Sequence, residues 1–122
     1  MAMEKIMRLV KRTAITLKPK QPYLDWANQL DDGPKIDAET GSEASIYLLE
    51  DDSDFEFDLE ALLNPHYWEI FEEELESWHR VKADWPVARD LATFLAWFDV
   101  EVHSMVFDLV GGALQTERYD GF

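Results

Sequence analysis

A small layered α+β domain is what this sequence predicts, with about three strands and three to four helices in the order β-α-β-α-α-α-β. Three observations predict it. Segments near both ends of the chain alternate with a period of two, while the middle carries apolar stripes at helical spacing. Pro, Gly, Asn and Asp separate the two kinds of segment. Hydrophobic residues make up 47% of the 122, and aromatic residues 13%, which is enough for one core, so residues 1–122 read as a single domain.

The elements follow in order. Met7, Leu9, Thr13, Ile15 and Leu17 share a phase with Lys11, which predicts a strand from about Arg8 to Lys18. Pro22 suits the first turn of a helix, and Tyr23, Trp26, Ala27 and Leu30 continue it at helical spacing. Asp31 to Pro34 end that helix, and residues 33–43 read as an exposed loop. Ser45 to Leu49 is short, β-prone and nearly all apolar, the pattern of a buried strand. The first β-α-β then invites a right-handed parallel unit.

Asp58 is an N-cap candidate for a short helix ending near Leu63. Asn64-Pro65 reads as a cap followed by a first-turn proline, opening a helix to His79 whose apolar stripe is Tyr67, Ile70, Phe71, Leu75 and Trp78. Asp84 and Pro86 mark another start, with Val87, Leu91, Phe94, Leu95 and Phe98 as its stripe. Asp99 to Leu109 is the longest strand signal. Val100, Val102 and Val106 lie on one face and Met105, Phe107 and Leu109 on the other, which predicts a central strand.

Charge is the feature that points to function. Residues 36–79 hold 15 Asp and Glu and not one Lys or Arg, in a chain of net charge −15. Residues 1–20, by contrast, hold six Lys and Arg against Glu4. This basic opening segment is expected to dock on the acidic body rather than on phosphate, because an external polyanion would meet a strongly negative molecule. No nucleic-acid partner is therefore expected. There is no Cys, which excludes disulfides, thiol catalysis and thiolate metal sites. Arg8, Lys11 and Arg12 interrupt any signal-peptide core, and no segment approaches the roughly 20 apolar residues of a membrane span. The expectation is a soluble cytoplasmic protein with no membrane partner.

Three constellations bear on chemistry. The run from Glu50 to Asp58 invites calcium, but the EF-hand register fails. With Asp52 first, Asp54 and Glu56 fit, while Phe57 replaces the required Gly and Leu63 the bidentate Glu. A solvated acidic loop is the plainer reading. Glu76 and His79 form one Glu-x-x-His pair, where a di-iron bundle needs two pairs and two further Glu. No metal and no cofactor are expected. Glu101 and His103 are two apart on a strand and so share a face. They form a candidate general base with its orienting carboxylate, a pair of metal ligands, or a strand histidine satisfied across the sheet. Of the three His, His103 alone lies in a segment expected to be buried. Gly111-Gly112 is too short for a phosphate loop, and no hydrolase elbow or zincin motif is present. Trp68 and Trp97 lie beside the core stripes rather than on them, which suggests partial exposure.

The segments Ala14-Ile15-Thr16-Leu17-Lys18-Pro19-Lys20-Gln21-Pro22-Tyr23-Leu24-Asp25-Trp26 and Trp97 to Leu109 resemble those of small bacterial proteins of this length whose activity is not known. The resemblance implies a free-standing bacterial cytosolic domain and carries no site residues. In shape and charge, though not in motif, the layout is also similar to the barstar-like ribonuclease inhibitors.

Two functional expectations result. The first is a non-enzymatic binding or regulatory module that meets a basic protein through Glu50, Asp51, Asp52, Asp54, Glu56, Glu69, Glu72, Glu73 and Glu76. The alternative is a small hydrolase or metal-dependent enzyme centred on Glu101 and His103, with a further ligand from the Trp78-His79 region. A homo-oligomer joined through exposed aromatics is a third.

Overall fold

The computed structural model describes residues 5–30, 36, 44–51 and 58–120. Four α-helices and five strands in two small sheets make up the described chain, an α+β arrangement. The main sheet is antiparallel throughout. Its middle strand is β2 (Thr13–Pro19), flanked by β3 (Ser45–Leu49) and β4 (Phe98–His103) in the order β3-β2-β4. A two-stranded ribbon pairs β1 (Arg8–Leu9) with β5 (Phe107–Asp108).

Register sorts the side chains into two faces, because successive residues of a strand point to opposite sides. Ile15 lies between Tyr47 and Val102, and Leu17 between Ser45 and Val100. This face carries the helices α1 (Gln21–Gln29), α2 (Leu59–Leu63), α3 (Tyr67–Trp78) and α4 (Leu91–Trp97). They close one core that includes Ile15, Leu17, Trp26, Leu63, Phe71, Leu75, Phe94 and Phe98. At its centre the Phe71 ring meets Phe94 and Trp97 at 5.8 Å and Phe98 at 5.5 Å. The other face holds Ala14, Thr16 and Lys18 between Ile46 and Leu48 on one side and Asp99, Glu101 and His103 on the other.

Local signals account for the helix ends. Proline opens α1. Asp58 caps α2, accepting from the Ala61 amide at 3.2 Å. Asp90 caps α4, accepting from the Thr93 amide at 2.9 Å and its hydroxyl at 2.6 Å. Lys20 closes α4 at its other end. Its ammonium donates to the Leu95 carbonyl at 2.9 Å and its amide to the Trp97 carbonyl at 2.8 Å. A cation at a helix C-terminus also complements the dipole. Asp90→Ala is expected to lower stability by about 1 kcal/mol, read from denaturant midpoints, and Asp90→Ser to recover most of it.

Several sequence expectations are corrected. The β-α-β unit is antiparallel rather than parallel. Parallel strands need cover on both faces, and this sheet has helices on one. The central strand is β2, not the segment from Asp99. That segment is two strands separated by residues 104–106, and its second apolar set belongs to the ribbon. The opening strand likewise breaks between Leu9 and Thr13, where the Val10 amide reaches the Val106 carbonyl at 2.7 Å. β3 is an edge strand and not a buried one, with Ile46 70% and Leu48 47% exposed. α3 starts at Tyr67 with His66 as its cap, since Asn64 closes α2 instead. α4 starts at Leu91, and Val87, at 99% exposure, belongs to no core stripe. Trp97, packed on the core edge and partly exposed, and Trp68, exposed, both stand as expected.

Candidate functional site

Helix α3 carries five glutamates and no Lys or Arg. Ile70, Phe71 and Leu75 are its buried anchors, and they fix which way it turns. Glu69, Glu72, Glu73 and Glu76 recur at i, i+3, i+4 and i+7 and therefore share one side, with neighbours about 5–6 Å apart at Cβ. Glu69 is exposed and the other three are half-buried. Each i,i+3 or i,i+4 pair of like charges opposes the helix. Glu72, Glu73, Glu74 and Glu76 also lie toward the C-terminus of α3, where the dipole is negative and the last turn holds no basic residue. Glu69, in the first turn, suits the dipole, whereas the rest of the arrangement works against the helix that carries it.

The loop acids join this helix at its other end. Glu50 leaves β3 and faces Nε2 of His66, the residue capping α3, at 2.5 and 2.8 Å from its two carboxylate oxygens. That hydrogen bond holds the Glu50 carboxyl below its ordinary value, and Arg12 adds to the effect. Asp51 follows and is exposed. Asp52, Asp54 and Glu56, and the loop expected over residues 33–43 apart from Ile36, lie outside the described residues. From the C-terminal segment, the Tyr119 hydroxyl bonds Glu73, which together with Glu76 pushes that phenol up. A partner seated on Glu73 therefore also meets Tyr119.

Two cations of the basic opening segment, Arg8 and Lys20, are engaged elsewhere, while Arg12 acts on Glu50. The Arg8 guanidinium donates to Asp108 at 3.2 Å, to the Val110 carbonyl at 2.9 Å and to the Gly112 carbonyl. Lys20 is held on α4, so α3 keeps its acids while these cations serve the ribbon and a helix end.

Glu101 and His103 do share a face, the one without helices. Nε2 of His103 lies 2.9 Å from the Thr16 hydroxyl of the neighbouring strand and 3.9 Å from the nearer Glu101 oxygen. This is the cross-strand hydrogen bond of a satisfied strand histidine. Against expectation, the side chains of His66 and His79 are both less exposed than that of His103. His79 Nε2 lies 2.8 Å from Asp84. The indoles of Trp85 and Trp26 donate to the carbonyls of His79 and Asp84 at 2.8 and 2.9 Å, which ties that turn to α1. His79 is thus committed in the helical layer, on the far side of the sheet from His103, and supplies no ligand to it. Among the described residues, no three His, Asp or Glu converge on a point where a metal would sit.

One residue of the acidic stretch behaves differently. Glu74 follows Tyr67 and Phe71 and precedes Trp78 at spacings of 4, 3 and 4, so it falls within the inward stripe. Its carboxyl faces β3, with the Ser45 hydroxyl donating to Oε2 at 3.5 Å and the Tyr47 hydroxyl also bonded to it. The Tyr23 hydroxyl of α1 donates to the Glu74 main-chain carbonyl at 2.7 Å. Burial raises the Glu74 carboxyl above its ordinary value, and Glu73 adds to this. Burial likewise raises Tyr23 and Tyr47, with the Glu74 charge reinforcing both. The signal was a polar residue in an apolar phase.

Comparison with family models, with curated proteins and with solved structures finds no match for this chain. No helix among the described residues is long and apolar enough to cross a membrane.

Proposed function

We propose that this protein is a non-enzymatic binding or regulatory module that takes a basic protein surface on its acidic face. The face consists of Glu69, Glu72, Glu73 and Glu76 along α3, with Glu50 and Asp51 at the helix start. Asp52, Asp54 and Glu56 belong to the proposal from the sequence alone. One observation carries it: four glutamates repeat along one side of a helix that holds no Lys or Arg, and of the four only Glu69, in the first turn, suits the dipole. Such a stripe supplies the long-range attraction that speeds encounter and the complementarity that selects a partner. The partner is a protein with Lys or Arg at matching spacing, such as a basic helix.

The test is retention from a bacterial lysate at low and high salt. Two forms are compared, wild type and Glu69→Gln/Glu72→Gln/Glu73→Gln/Glu76→Gln. A basic protein held by wild type at low salt, released by salt and ignored by the variant supports the reading. Equal retention by both forms, or none, removes it.

A further inference from the structure

Glu74 takes no part in the outward stripe, yet it is the half-buried carboxyl on the inner side of α3, set between that helix and an edge strand. We propose that Glu74 is a proton-operated clasp between α3 and β3. With the carboxyl protonated, helix and strand hold together. With it ionised, the contact loosens and β3 opens toward water.

The groups around it define the clasp. Among the described residues, the groups that act on the Glu74 carboxyl are Ser45 and Tyr47 of β3, both neutral hydrogen-bonding hydroxyls, and Glu73 of α3 itself. From α1, Tyr23 holds the Glu74 carbonyl. No Lys, Arg or His is among them, so the ionised carboxylate is favoured only by the two donating hydroxyls, and burial together with the Glu73 charge outweighs them. A carboxylate so placed lowers its free energy by reaching water. Which side yields follows from packing. Phe71 and Leu75 fix α3 in the core with no exposed surface. β3 has five residues, two of them exposed Leu and Ile, and pairs with β2 alone among the described strands. An edge strand of that length is the low-stability unit that opens first. The strand also leads into Glu50 and Asp51, so the clasp sets how those two acids stand relative to α3. That consequence rests on the proposed binding face, whereas the clasp does not.

Amide hydrogen exchange, corrected for intrinsic rate, tests it across a pH series that rises from the ordinary carboxylate range. The protection of Ser45–Leu49 is expected to fall by about tenfold more than that of Phe98–His103 on the other edge. Glu74→Gln keeps the acceptor and removes the charge, so in that variant the two strands should change in parallel. Glu73→Gln should keep the β3-specific loss and move it to lower pH, because the Glu73 charge helps to raise the Glu74 carboxyl. If the two edges of the wild-type sheet lose protection equally, or if Glu74→Gln retains the β3-specific loss, the clasp is refuted. Failure of the wild type to hold any basic partner, with these exchange rates as expected, would instead count against the acidic face alone.

Discussion

Phe71→Ala is expected to remove about 3–5 kcal/mol of stability, the cost of deleting a large aromatic from a closed core. A domain of this size has only about 5–15 kcal/mol in total. Phe71 has no exposed surface, and its ring is the meeting point of α3 with α4 and the first residue of β4, through Phe94, Trp97 and Phe98. No neighbour is placed to fill the void, since all three partners are themselves large rings fixed by α4 and the strand it runs into. The melting temperature should drop by roughly 15 °C. Phe71→Leu, which keeps most of the volume, should cost far less. A loss under about 1 kcal/mol for the alanine variant would mean that α3 does not sit on this core as described. The consequence reaches function, because the same anchor holds the glutamate stripe outward.

The second large effect has the opposite sign. Neutralising Glu69, Glu72, Glu73 and Glu76 to Gln should stabilise the protein by about 1–2 kcal/mol, as four like-charge contacts at helical spacing are relieved. A rise in melting temperature of roughly 4–8 °C is expected at low salt, shrinking as added salt screens the wild-type repulsion. Phe71→Ala loses stability and function together, whereas the Gln variant should gain stability and lose binding. Surface acids kept only for solubility would not be expected to sit where they strain their own helix, since other exposed positions are available. The Glu74 carboxyl adds a pH dependence. Its folded value lies above the unfolded one, so the native state binds the extra proton. Stability is therefore expected to fall as pH rises from the ordinary carboxylate range through the raised value, and Glu74→Gln should flatten that fall. A fall of the same size in wild type and in Glu74→Gln would contradict it.

Much of this was legible in the sequence. Asp58 as a cap, Pro22 at the start of α1, the limits of β3 and the phase of α3 from Tyr67 to Trp78 follow from local chemistry, and local chemistry decided them. The stripe of Glu69, Glu72, Glu73 and Glu76 was readable for the same reason. What failed depended on contacts distant in sequence. Nothing in the alternation from Asp99 to Leu109 marks residues 104–106 as a break, because the two strands on either side both alternate. Their second partner, the segment at Arg8–Leu9, is remote in sequence. Parallel and antiparallel pairing of β2 with β3 differ only in where the chain between them runs. Asp90 was passed over for Asp84 because Pro86 and Val87 imitated a helix start, although Asp90 with Thr93 makes the observed cap. Glu74 was hidden by its neighbours, where a run of acids reads as one solvated face until each is placed on the wheel. The equal spacing of Glu101 and His103 showed that they share a face, but not that Thr16 would occupy the histidine.

The central claim is that position on α3, and not total charge, makes these acids functional. It is tested by comparing lysate retention of three proteins at low salt: wild type, the four-fold Gln variant of α3, and a charge-matched control. The control is Asp25→Asn/Asp99→Asn/Glu101→Gln/Glu117→Gln, which removes the same four charges from exposed sites elsewhere. The account predicts that wild type and control retain the same basic protein while the α3 variant does not. Equal loss in both variants, or a partner held equally by all three, would contradict it.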